Sequence, residues 1–323
     1  MKKSLMTLGV LALFVLMAYG QEKKFALYSV AFYNMENLFD TIHDEGKNDY
    51  EYLPNGTNQW NTMKYKAKLK NMSEILSMLS TDKLPMGPAI IGVSEIENYR
   101  VLEDILKQPV LADRGYQYVH YEGADQRGVD CAFFYNPKLF ELTNSKLVPY
   151  VYINDTVHKT RGFLIASGNI AGEKMHFIVN HWPSRAAASP ARERAGEQVR
   201  AIKDSLLRED SAAKIVIMGD MNDDPMDKSM AVALGAKRKP ADVGPTDLYN
   251  PWWDTLKKGY GTLMYKGKWN LFDQIVFTGN LLGTDRSTLK FYKHEIFRRD
   301  FMFQKEGKYK GYPKRTQAGG VWL

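Results

Sequence analysis

Apolar and polar positions alternate along the chain in short blocks that favour strands over helices. Residues 25–33 (Phe-Ala-Leu-Tyr-Ser-Val-Ala-Phe-Tyr) form an apolar run of strand length. Similar runs span Ala89 to Val93, just after Pro88, and Val129 to Tyr135. Segments 162–170 and 174–180, Lys214 to Met218 and Leu271 to Phe277 read the same way. Two stretches carry the helical period instead. Over residues 62–80, Leu69, Met72, Leu76 and Leu79 recur at three- and four-residue steps. A second helix is predicted from Ser189-Pro190, with Ser189 as N-cap and Pro190 in the first position, and with Ala195, Val199, Ile202 and Leu206 on its apolar face. Strands outnumber helices, and helices separate only some of them. The pattern therefore predicts an α/β (α+β) fold of two packed, mostly antiparallel sheets flanked by helices, not an alternating parallel sheet.

The N-terminus follows a different rule. Lys2 and Lys3 precede an apolar run from Leu5 to Met17, and Ala18 and Gly20 place small residues before Gln21. This is the pattern of a secretory signal peptide over residues 1–20, too short for a comfortable membrane span. Export to the periplasm or beyond is the expectation, with no stable membrane insertion after cleavage. Residues 21–323 show no linker, repeat or low-complexity tract and read as a single domain. The lone cysteine, Cys131, lies in an apolar run and reads as a core residue.

Charge adds a hint about partners. The formal charge of +7 falls to +5 without Lys2 and Lys3. From Asp285 onward, Lys and Arg clearly outnumber acids, and Tyr292, Phe297, Phe301, Phe303, Tyr309 and Tyr312 interleave with them. Such a segment is either a solvated basic face or a surface that tracks phosphates.

Polar residues gather where apolar runs end, the positions at which α/β sheets collect ligand chemistry. Asn34-Met35-Glu36-Asn37 follows the first run, and strand alternation would point Asn34 and Glu36 the same way. Glu95 closes a largely apolar strand, where a carboxylate calls for a partner or a hard cation such as Mg²⁺. Glu97 reads as a supporting or surface residue. Asn180-His181-Trp182-Pro183-Ser184-Arg185 brings an imidazole suited to a phosphoryl oxygen and a guanidinium suited to a phosphate. His120 and His176 read instead as core histidines. Gly219-Asp220-Met221-Asn222 follows a strand, with Asp220 fit to orient or deprotonate water and Asn222 to bind a phosphate oxygen. Asp273, inside an apolar run, needs a partner of its own.

Taken in order over most of the chain, these segments resemble the endonuclease/exonuclease/phosphatase superfamily, which includes pancreatic deoxyribonuclease, abasic-site endonucleases, neutral sphingomyelinases and inositol polyphosphate phosphatases. Exported bacterial endonuclease-like members are the nearest in pattern. The resemblance implies a DNase I-like four-layer sandwich with the site at one edge. It implies that Glu95, helped by Asn34 or Glu36, holds Mg²⁺ (or Mn²⁺ or Ca²⁺). Asp220 and Asn222 would position water and phosphate, His181 would contact the scissile phosphate, and Asp273 would orient a catalytic group. Asp130 takes a supporting role, while Tyr118 and Arg161, with Asn180 and Arg185, would line the substrate cleft. Family members end on a strand carrying Ser-Asp-His, whereas this sequence stops at Gly319-Gly320-Val321-Trp322-Leu323. The expectation is a missing final strand and weakened activity, with His294 the rival for the missing histidine. A nucleic acid or other phosphodiester is the implied substrate. The alternatives are a phospholipid or sugar-phosphate phosphoesterase, or a polyanion-binding relative without turnover.

Overall fold

Both faces of each sheet are covered, which is why the core strands read as unbroken apolar runs rather than as alternating ones. The computed structural model describes residues 25–153, 155, 157–318 and 321–322. The segment read as a signal peptide, residues 1–20, lies outside the described residues, as do Gly319, Gly320 and Leu323. Among the described residues no helix is long and apolar enough to cross a membrane.

The first sheet holds β1 (Val30–Leu38), β2 (Ile90–Ile96), β3 (Gln117–His120) and β4 (Asp130–Tyr135) in the order β1-β2-β4-β3. The second holds β5 (Glu141–Val148), β6 (Phe163–Ile170), β7 (Glu173–His181), β8 (Lys214–Asp220), β9 (Ala236–Lys237), β10 (Leu248–Tyr249) and β13 (Asp273–Thr278), in the order β5-β6-β7-β8-β13-β10-β9. Both are mixed sheets. Antiparallel pairs predominate, but β1 runs parallel to β2, β7 to β8 and β9 to β10. A separate hairpin, β11 (Leu263–Tyr265) and β12 (Lys268–Asn270), precedes β13.

Alternate residues of one strand enter different cores. Ile90 of β2 packs between the sheets with Phe133, Phe177, Val179, Val216 and Met218. Its neighbours Ile91 and Val93 face outward, onto α1 (Thr62–Ser77) and α2 (Tyr99–Leu106). On the far side, Ile178, Ile215 and Ile217 pack against α3 (Ser189–Glu209) through Ala195, Val199 and Leu206. The layers are helix, sheet, sheet, helix. Gly92 faces the middle layer, where an added Cβ would lie 2.6 Å from Met218 Sδ; the sheets approach too closely there for a side chain.

Several boundaries differ from the sequence reading, for local reasons. The first strand runs from 30 to 38 instead of 25 to 33, because ladder pairing with β2 continues to Leu38 opposite Ile96. The predicted N-cap of α3 is displaced: Ala188 occupies the cap and supplies no side-chain bond, while Ser189 turns its hydroxyl to Glu193. Asn61 and Asn98, in contrast, cap α1 and α2 by accepting backbone amides. Asp273 opens its strand and does not sit within it.

Candidate active site

Strand alternation delivers most of the polar cluster. In β7 the row Phe177, Val179 faces the middle layer, so His181 does too. In β8 the row Val216, Met218 ends on Asp220. In β13, Phe277 and Ile275 lead back to Asp273. Ladder register sets His181 opposite Asp220, and Asp220 opposite Asp273, so three strands end in one polar row. From the other sheet, Val30 and Phe32 lead to Asn34, whose amide donates to Asp220 at 3.0 Å.

Glu95 breaks the rule. Its row is that of Ile91 and Val93, so plain alternation would turn it toward the helices. The pairing of β2 with β4 shifts between Ser94 and Ile96, and Glu95 takes a left-handed φ of 59°. The bulge swings the carboxylate inward, to 3.6 Å from His181 Nε2. Its other oxygen accepts the Asn37 amide at 3.0 Å. Ligand atoms of Glu95, His181 and Asp220 then lie within 4.8 Å of one another.

A similar device displaces Glu36. Glu36 and Asn37 are left-handed, with φ of 50° and 55°, which cancels the expected common orientation of Asn34 and Glu36. Glu36 instead accepts the Thr316 amide and hydroxyl, each at 2.9 Å. It stands outside the Glu95–His181–Asp220 group. The carbonyls of Glu36 and Asn37 are held by Lys68, which α1 buries completely beneath the site.

The electrostatics follow from crowding acids in a buried place. Burial, with the Glu95 charge second, pushes Asp220 up to about 6, although the Asn222 amide and the Asn34 side chain favour its ionised form. Burial and the neighbouring Asp220 push Asp273 up to about 8. His181 is held well below the ordinary imidazole range by burial and then by the charges of Arg161 and Arg127. It is therefore neutral at pH 7. Asp273 Oδ1 is buried with no hydrogen-bond partner, and His181 turns Nε2 toward Glu95 and Asp220. A cluster of acids with a neutral imidazole and an unfilled carboxylate oxygen is a donor set that fits a divalent cation.

The remaining sequence candidates bond mainly to backbone carbonyls and carboxylates. Asn222 closes the turn after β8 at φ 51° and donates to the Trp182 carbonyl at 3.0 Å. Asn180 is fully buried, its amide spent on the carbonyls of Ile178 and Met218, where it fixes the strands. Arg161 is buried behind His181, bonded to Asp125 and the Trp182 carbonyl. Arg185 lies over the Phe272 ring and bonds Asp223, Asp224 and Asp227, so its fork ties two loops together. Tyr118 faces the helix side, its hydroxyl toward Glu103, and does not line the cleft. Glu97 is buried, not superficial; it accepts the Asp40 amide, and burial pushes it up to about 9. Asp130 pairs with the core residue His120 at 3.1 Å. His294 meets Trp252 edge-on and bonds Thr255, outside the Glu95–His181–Asp220 cluster, so its placement does not match that of the absent histidine.

Two contributors escaped the sequence reading. Thr262 accepts the amides of Phe272 and Asp273 through its hydroxyl, and nothing in its neighbourhood announces this. Lys68 did leave a trace: a charged residue on the buried stripe of Tyr65, Leu69, Met72 and Leu76.

A fold of two covered sheets with acids, amide and imidazole at one edge defines a class, and residues 29–323 match the model of the Endonuclease/Exonuclease/phosphatase family. The chain belongs to that family. No curated protein matches it. Among solved structures it is similar to a humanized D. rerio TDP2, at 14% identity and TM-score 0.50, over 78% of this chain and 83% of that one. It is also similar to ANGEL2, a 2′,3′-cyclic phosphatase, at 11% identity and TM-score 0.51, over 66% and 74% respectively. The human Nocturnin catalytic domain matches at 17% identity and TM-score 0.48, over 68% and 76%.

Proposed function

We propose that this protein is an exported, Mg²⁺-dependent phosphodiester hydrolase acting on nucleic acid. The convergence of Glu95, His181 and Asp220 from separate strands onto one buried spot supports it most directly. Glu95 and Asp220 would hold the cation, which when bound supplies charge stabilisation for the phosphoryl oxygens. Asp220, tied by Asn222 and Asn34, presents a carboxylate that aligns a water and accepts its proton. His181, neutral and rigidly placed, donates a hydrogen bond to a phosphoryl oxygen from Nε2. Asp273 sits beside Asp220 and, pushed up to about 8, holds a proton at neutral pH while no cation is present. Arg161 braces the Trp182 carbonyl next to His181. The family match and the ANGEL2 likeness in fold agree with phosphoester chemistry.

The test is hydrolysis of plasmid DNA and of a small aryl phosphodiester, in Mg²⁺ and in chelator. Mg²⁺-dependent cleavage of both supports the reading. Turnover that persists in chelator, or no cleavage of either substrate, overturns it.

A further inference from the structure

The catalytic groove does not stop at the polar cluster. It encloses about 1780 Å³ and runs from Glu95, Asp220 and Asp273 to a wall formed by Trp269, Arg298 and the chain around Lys314. That wall joins the hairpin β11–β12 to the basic aromatic segment after residue 285. Thr262, at the hairpin's base, is bonded to the Asp273 amide, so the wall is anchored to the catalytic strand. Arg298 is seated among three rings, 5.5 Å from Tyr260, 5.3 Å from Trp269 and 4.4 Å from Phe303. Gly267 at the hairpin tip donates to the Tyr312 hydroxyl at 2.6 Å and ties the tip to the same segment.

Beyond the groove this wall presents exposed rings, each with an ammonium over one face and the other face left for a base. Tyr265 is 62% exposed with Lys266 Nζ 5.3 Å from its ring centre, and Tyr309 is 55% exposed with Lys308 Nζ at 5.6 Å. Neither lysine has an acidic partner among the described residues, unlike Lys293 with Glu295 or Arg315 with Glu36. These rings serve no core and these charges no ion pair. We propose that the wall is a platform for single-stranded nucleic acid, with bases stacked on Tyr265 and Tyr309 and phosphates on Lys266 and Lys308. The inference rests on the reading of the groove as a phosphodiester site. Unpaired bases offer faces to the rings, while a duplex keeps its base faces covered and offers only its phosphates. The repeated pairing of ring and ammonium therefore favours a single strand.

The experiment is fluorescence anisotropy of a labelled oligothymidylate of about 12 nucleotides, a length within known single-strand site sizes. It is run in chelator, beside a duplex of equal length and phosphatidylglycerol vesicles. The wild type is expected to prefer the single strand, with binding that weakens as salt rises. Tyr265→Ala with Tyr309→Ala is expected to weaken binding about tenfold or more. Lys266→Ala with Lys308→Ala is expected to flatten the salt dependence. Every variant should hydrolyse the small aryl diester as the wild type does. Unchanged strand binding in the tyrosine pair, a duplex bound as tightly as the strand, or vesicles bound in place of the strand would each overturn the platform. Retained strand binding with no aryl diester turnover would count against the hydrolase reading and leave the platform standing.

Discussion

Lys68 lies on the buried stripe of α1 between Tyr65 and Leu69, and its ammonium ends on the carbonyls of Glu36 and Asn37. Burial holds it down to about 8, against the pull of Glu36 and Glu95. A lysine whose folded value is depressed costs stability in full below about pH 8 and is relieved as pH rises toward its unfolded value. The wild type should therefore gain stability relative to Lys68→Met between about pH 8 and 10. Denaturant midpoints of both proteins across that range measure it; a constant difference would show that Lys68 is not buried as a charge. His181 offers a sharper test at the same scale. His181→Gln should lower kcat by about 10²–10³ while leaving the melting temperature within a few degrees. The gathering of Glu95, His181 and Asp220 in one place was legible because each follows an apolar run. The bonding of Asn180 to backbone carbonyls, of Arg185 to acids and of Tyr118 to Glu103 was not legible, because one sequence does not show which partner a polar side chain meets.

At the scale of elements, two backbone devices build the site. One is the bulge in β2, without which alternation would face Glu95 toward α1 and α2. No spacing in Ser94-Glu95-Ile96 reveals a left-handed residue inside a strand, so the sequence located the glutamate but not its orientation. The other is the glycine of Gly219-Asp220. A Cβ at Gly219 would stand 2.3 Å from the Asn180 carbonyl oxygen, on the neighbouring parallel strand. Gly219→Ala must push β7 and β8 apart where His181 faces Asp220. It should cost about 1–3 kcal/mol of stability, a typical penalty for overpacking. It should also lower activity more than a remote substitution of equal cost, as urea titration alongside turnover would show; wild-type stability and activity would refute the close approach.

For the whole molecule, the layers were legible and the detail of the sheets was not. Seven apolar runs announced the core strands because both sheet faces are covered, and apart from β1, which lies five residues later, the strands named were found within a few residues of their predicted ends. The short β3, β9 and β10, and the parallel pairing of β1 with β2 and β7 with β8, depend on contacts between distant segments that periodicity does not encode. What the fold achieves is to bring groups from five strand ends to one edge, where Asp220 and Asp273 are both pushed up by burial and by neighbouring acids. The most direct test of that arrangement is Mn²⁺ binding, followed by electron paramagnetic resonance on the wild type, Glu95→Gln and Asp220→Asn. The arrangement predicts a single saturable ion per wild-type chain and its loss from both variants while their circular dichroism is retained. Equal Mn²⁺ binding by all three proteins would contradict it.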